Sequence, residues 1–176
     1  MYWEKTGRLT FGRFPSVEVM APGLDLRFAS RLGGYSHPPF DSLDLGSGTG
    51  DDEGLVRRNR ALLLSTLGIP ADRLARCDQV HGDRIEQVTS GGVFPACDGL
   101  VTATGGLSLA ISTADCYPVV VYSPPERALA VLHVGREGAR RGIIARALDI
   151  LRKDHDVEPS TLVAGTGPVI CKDCYE

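Results

Sequence analysis

Val119-Val-Val-Tyr-Ser-Pro-Pro-Glu-Arg-Ala-Leu-Ala-Val-Leu-His-Val134 is the stretch that decides the fold. Val119–Tyr122 and Leu129–Val134 are short apolar runs parted by turn residues, which predicts two strands. Directly after them, Ile143, Ala147, Ile150 and Leu151 fall at helical spacing and predict a helix from about Gly138 to Lys153. Working outward, Arg76–Val80, Ile85–Val88, Gly99–Val101 and Leu107–Ser112 predict short strands before it, and Leu162–Gly165 one after. The clearest helix opens at Asp51 and Asp52 and runs to about Leu67. Its apolar face holds Val56, Leu63 and Leu67, with Leu55 and Leu62 beside them, while Arg57, Arg58 and Arg60 lie largely off it. Acidic residues suit its start, and Gly68 followed by Pro70 ends it. Near the beginning, Val17-Glu-Val-Met alternates and Leu24, Leu26 and Phe28 share a face, so strands are expected there too. Ser30–Gly50 is a polar, glycine-rich loop too long for a simple hairpin. This irregular interleaving predicts an α+β fold: a single domain over residues 1–176, with helices outside mixed β-sheets.

Composition narrows the function classes. The 176 residues carry 19 Lys+Arg against 22 Asp+Glu, a formal charge of −3, and are 43% hydrophobic and 23% charged. That balance is too apolar for disorder and too neutral for a basic nucleic-acid footprint. No apolar run approaches the ~18 residues of a membrane span, and the start lacks an apolar core behind a basic segment. A cytoplasmic setting is therefore expected. Five cysteines, an odd number without an export signal, argue against a disulfide framework and leave packing, metal ligation or catalysis.

Three residues share a local setting that suits a metal. His81 follows an apolar strand in Gln79-Val-His-Gly82, Cys116 sits between two strands in Thr113-Ala-Asp-Cys-Tyr-Pro118, and His133 ends the strand Leu129–His133. Two imidazoles and a thiolate leave one tetrahedral position open, as in catalytic rather than structural zinc sites. Copper accepts the same donors, so ligand type does not name the metal. Separations of 35 and 17 residues match no short metal motif. Chemistry alone therefore leaves a second reading open, a buried core thiol with two partly satisfied histidines.

Eight stretches then occur in one order: Arg31-Leu-Gly-Gly-Tyr-Ser36, Ser42-Leu-Asp-Leu-Gly46, Gly50-Asp-Asp52 with Asn59-Arg60, Gln79-Val-His-Gly82, Asp98-Gly-Leu-Val-Thr102, Thr113–Val119, His133-Val-Gly135, and Gly167-Pro168 with Cys174-Tyr-Glu176. In them the chain resembles, over nearly its whole length, the laccase-domain proteins, often called polyphenol oxidases and regarded as purine nucleoside phosphorylases. The resemblance implies a four-layer arrangement of helices around mixed sheets, distantly like a cysteine-hydrolase toxin domain. It implies zinc held by His81, Cys116 and His133. It also implies phosphorolysis of adenosine, inosine or methylthioadenosine, and adenosine deamination. The expected partners are a purine nucleoside and phosphate, with neither nucleic acid nor membrane; a homodimer is the assembly left open. Arg31, the Gly33 and Gly34 amides and Ser36 could cradle phosphate, and the same residues could equally form a solvated tight turn. Asp115, beside the ligand cysteine, could relay protons or orient a ligand, or simply cap a turn.

The chain departs from the family pattern in three places. The family's His-Ala-Gly-Trp-Arg-Gly stands here as His133-Val-Gly-Arg-Glu-Gly138, so Arg136 replaces a tryptophan and Glu137 an arginine. Gly48 occupies a position that is usually histidine. Family members continue beyond Cys174-Tyr-Glu176, which makes this a shortened form or a fragment and makes Cys171-Lys-Asp-Cys174 a variant of the family's Cys-Cys-Tyr-Glu. These departures motivate an alternative, a degenerate module that binds metal and nucleoside without turnover. Copper-dependent phenol oxidation ranks below both, because multicopper chemistry needs many more histidines than the four present.

Overall fold

A computed structural model describes residues 1–171, 173 and 174. Lys172, and Tyr175 and Glu176 of the C-terminal motif, lie outside the described residues. The α+β class expected from the sequence is the class found, and the chain packs as two compact units, Met1–Ala71 and Asp72–Glu176.

In the first unit, β1 (Tyr2–Thr6) and β2 (Leu9–Arg13) pair antiparallel with Tyr2 opposite Arg13. α1 (Pro15–Met20) follows, then β3 (Phe28–Ala29), which pairs with β2 and completes a three-stranded sheet. Val17-Glu-Val-Met is thus helical and not a strand. Pro15 pre-sets the first helical φ, and one turn buries Val17 alone, a pattern that four alternating residues cannot distinguish from a strand. The strand expected at Leu24–Phe28 shrinks to Phe28–Ala29 because Leu24 is tied back in a turn, its amide donating to the Ala21 carbonyl at 3.1 Å.

α2 (Glu53–Leu67) matches its sequence signals. The Asp52 carboxylate accepts from the Leu55 amide, and Gly68, with φ 66°, closes the helix in the left-handed conformation. Leu62, Leu63 and Leu67 pack on a core of Leu9, Phe11 and Leu43. Residues 30–50 hold neither helix nor strand, as expected. They are laced by two consecutive residues of α2. Fully buried Asn59 donates to Ser36 Oγ and the Asp44 carbonyl and accepts from the Tyr35 amide, at 2.8–2.9 Å. The Arg60 guanidinium donates to the carbonyls of Leu45 and Gly46. Arg60 therefore has work inside the unit, whereas the sequence pattern placed it off the packed face.

The second unit holds β4 (Leu74–Cys77), β5 (Ile85–Gln87), β6 (Gly92–Phe94), β7 (Gly99–Thr102), β8 (Ser108–Ala110), β9 (Tyr117–Ser123), β10 (Ala128–Val134), α3 (Arg136–Arg140), α4 (Ile143–Asp154) and β11 (Val163–Thr166). Seven of these strands answer sequence expectations within a few residues; β6, only three residues long, had no pattern to announce it. One sheet runs β11-β9-β10-β7-β5, antiparallel except for the parallel pair β5–β7; the other, β6-β4-β8, is parallel. Mixed sheets were expected. α4 buries Ile143, Ala147 and Leu151 against Val101, Val121 and Leu132 of the larger sheet. The single helix expected over 138–153 is two helices, because Gly142 adopts φ 79° and breaks the ladder between α3 and α4. Among the described residues no helix is long and apolar enough to cross a membrane.

Candidate metal centre

β9 and β10 are antiparallel neighbours with His133 opposite Pro118 and Val134 opposite Tyr117, so the register itself carries Cys116 to the end of β10 where His133 lies. His81 comes from the turn after β4. The Gln79 side chain ties that turn to the approach to Cys116: its amide nitrogen donates to the Ser112 carbonyl and its oxygen accepts from the Ser112 amide, both at 2.8 Å. Three segments distant in sequence thus converge.

The convergence is close enough for one ion. The ligand atoms of His81, Cys116 and His133 all lie within 4.8 Å of one another. A common point then lies within about 2.8 Å of all three, against about 2.0–2.3 Å for bonds from zinc to nitrogen and sulfur, so small side-chain shifts complete the fit. The two imidazoles meet edge to face, centroids 4.8 Å apart and planes at 81°. Gly135 makes room for His81 and Cys116. A Cβ there would stand 3.3 Å from Cys116 Sγ and 3.4 Å from His81 Cδ2. His133 is buried, Cys116 half-buried and His81 exposed, so the site opens on the His81 side. Among the described residues this is the one cluster of three or more such donors.

Asp98 organises the centre from beneath, and sequence reasoning noted it only as part of a matching stretch. Fully buried, its carboxylate accepts from the amides of Val80, His81 and Gly82 at 3.2, 2.9 and 2.7 Å. Three amides pointing at one anion explain how His81 holds a left-handed φ of 59°, a costly conformation for a residue with a Cβ. The same carboxylate lies 2.8 Å from His133 Nδ1, so the imidazole donates there and presents Nε2 to a metal. Burial works against ionisation of Asp98, but the bonds from His133 and from the Gly82 and Val80 amides outweigh it and hold its pKa below the usual carboxylate value. The signal available in the sequence was an acid wedged between Cys97 and the apolar strand Gly99–Val101.

Cys116 is not an activated free thiol. Burial, reinforced by the charges of Asp115 and Asp98, raises its pKa. A metal ion reverses this by binding the thiolate directly. Asp115 is exposed, and its carbonyl accepts from the Ile170 amide at 3.3 Å.

The remaining expected site residues lie in the first unit. Arg31 Nε donates to the Asp41 carbonyl at 2.8 Å, and its side chain is 69% exposed. The Gly33 and Gly34 amides donate to Ser42 Oγ at 2.9 and 3.2 Å, and buried Ser36 accepts from Asn59. Gly33, at φ 97°, and Gly34 would each drive a Cβ into backbone. Gly48 lines a hollow of about 520 Å³ with Ser47, Thr49, Arg57 and Arg60. The charge change at Glu137 is answered locally: Arg140 holds its carboxylate at 2.9 Å and Arg141 stands 3.7 Å away.

The chain is similar to known proteins. Residues 25–176 match the family described as multi-copper polyphenol oxidoreductase laccase. A protein named purine nucleoside phosphorylase in Mycobacterium tuberculosis is 45% identical over 124 residues, covering 69% of this chain and 50% of its own. One of that name in Streptomyces coelicolor is 38% identical over 157 residues, covering 88% and 64%. The crystal structure of YlmD from Geobacillus stearothermophilus superposes with a TM-score of 0.89 at 30% identity, covering 98% of this chain and 67% of that one. The chain thus spans about half the length of the Mycobacterium relative and about two thirds of the other two.

Proposed function

The chain belongs to the multi-copper polyphenol oxidoreductase laccase family, and from that premise we propose a zinc-dependent purine nucleoside phosphorylase, acting on adenosine, inosine or methylthioadenosine in the cytoplasm, with adenosine deamination as a second reaction. The observation that carries this reading is the convergence of His81, Cys116 and His133 on one point, with Asp98 fixing the His133 tautomer. Relatives named purine nucleoside phosphorylase supply the substrate class. Soft and borderline donors suit zinc, which when bound supplies Lewis-acid polarisation; His81, Cys116 and His133 would hold it.

In phosphorolysis, phosphate oxygen bonds to the ribose anomeric carbon, the bond from that carbon to the base nitrogen breaks, and the base leaves with a proton. Asp115, an exposed carboxylate next to Cys116, is the proposed proton carrier. Arg31 is the proposed phosphate contact, since its guanidinium is largely exposed beyond Asp41. Gly33, Gly34 and Ser36 complete that cradle by exchanging their bonds to Ser42 and Asn59 for bonds to phosphate oxygen. Cys116 serves as ligand and not as nucleophile.

The test is direct. Protein loaded with one equivalent of zinc, given adenosine and phosphate, yields adenine and ribose 1-phosphate, with inosine marking deamination. Zinc and nucleoside bound stoichiometrically without any of these products would establish the module without turnover instead.

A further inference from the structure

Beside the metal centre lies a second reactive pair that the proposed reaction does not use. Cys77, the last residue of β4, and Cys97, in the turn before β7, bring their Sγ atoms to 3.2 Å, and Cys97 Sγ lies 3.3 Å from the Phe94 carbonyl. Both are free thiols, 6% and 0% exposed, packed with Ala75, Val88, Leu100 and Leu107. Packing explains a small residue at each position, and alanine would serve. It does not explain two sulfurs in contact. Closing 3.2 Å to a disulfide of about 2.05 Å needs about 1.2 Å of sulfur travel, on the scale of side-chain rotation.

We propose that Cys77 and Cys97 form an oxidisable dithiol, and that its oxidation state reaches His81 and His133 through Asp98. With hydrogen peroxide as oxidant the step balances. One sulfur attacks a peroxide oxygen, the O–O bond breaks, and a sulfenic acid and one water form. The second sulfur then displaces the hydroxyl as another water, leaving one disulfide, both thiol protons having passed to water. Either sulfur can attack and the other resolve, since the two stand in mutual contact. The pair sits apart from solvent, which excludes bulky disulfides as its oxidants.

The link to the metal centre is covalent and short. Cys97 precedes Asp98, whose amide donates to the Arg84 carbonyl at 2.9 Å and whose carbonyl accepts from the His133 amide at 2.7 Å. Drawing the sulfurs together pulls on the residue whose carboxylate positions both histidines. This second part rests on the metal centre proposed above, whereas the disulfide does not, so the two fail separately.

The experiment uses the full chain carrying C171S and C174S, which removes the exposed pair whose sulfurs also stand 3.2 Å apart. Zinc-loaded protein is treated with hydrogen peroxide, unfolded in an alkylating agent and digested with trypsin. The expected product joins the peptide of residues 77–84 to that of residues 85–127, two hydrogens lighter than their sum once the alkyl group on Cys116 is counted, with fragment ions placing the bond at Cys97 and not Cys116. Recovery of Cys77 and Cys97 as alkylated thiols overturns the dithiol. For the coupling, zinc affinity is measured before and after oxidation, in this protein and in C77A/C97A. A loss of about tenfold confined to the protein with both thiols supports it; equal affinities, or equal losses in both proteins, overturn it. Should the double variant fail to fold, C97A alone serves as the control.

Discussion

Asn59 in the first unit and Asp98 in the second are both fully buried polar side chains that gather the backbone of a loop, yet they leave those loops in different states. Asn59 receives one amide and gives to a hydroxyl and carbonyls, and Ser42 takes the Gly33 and Gly34 amides, so the polar groups around the turn are bonded to one another. Asp98 absorbs three amides and one imidazole N–H, and what remains pointing inward is the other imidazole nitrogen, a second imidazole and a thiol. A neutral amide can close a network because it both donates and accepts. A carboxylate only accepts, so it draws donors to itself and leaves the basic nitrogen of His133 facing the other two donor atoms. The difference teaches which buried side chain ties its loop together and which leaves donor atoms suited to a metal cation.

Asp98→Ala is the heaviest blow to this comparison. It strands three amides and the His133 ring, and is expected to cost about 3–5 kcal/mol in urea unfolding and to weaken zinc binding by at least about tenfold. A variant that binds zinc as tightly as the parent would end the claim that Asp98 organises the centre. Asn59→Ala is expected to cost about 2–3 kcal/mol while zinc stoichiometry, read by a chromogenic chelator, stays at one per chain. Loss of zinc in that variant would break the separation of roles.

Two smaller substitutions sharpen the contrast. Gly135→Ala places a methyl against Cys116 and His81; a zinc affinity about tenfold weaker is expected, with the unfolding midpoint moved little. Unchanged affinity would show that the ligands have slack there. Asp52→Ala removes the cap of α2 and should lower stability by about 1 kcal/mol without touching zinc. An effect near zero in calorimetry would mean that helix is held by its tertiary bonds alone.

Much of this was legible from the chain. The 51–67 helix carried its cap, its stripe and its stop in consecutive residues, and the seven strands recovered in the second unit were compact apolar runs. The failures have local causes. Val17–Met20 alternates like a strand because a helix of six residues is too short to display its own period. The 138–153 pattern continued across Gly142, since side-chain spacing is blind to a single left-handed φ.

By itself the sequence determined the class of the fold and the long loop, because strand ends and turn residues are properties of neighbours along the chain; donor chemistry singled out His81, Cys116 and His133 as candidate ligands, and the family resemblance assigned them to a metal. Tertiary structure alone decided that Asp98 stands beneath two histidines, that Gln79 and Gly135 tighten the centre, and that Cys77 and Cys97 touch. Those relations join residues about 17 to 54 positions apart through strand register and turn geometry, and no pattern of near neighbours encodes a distance across a sheet.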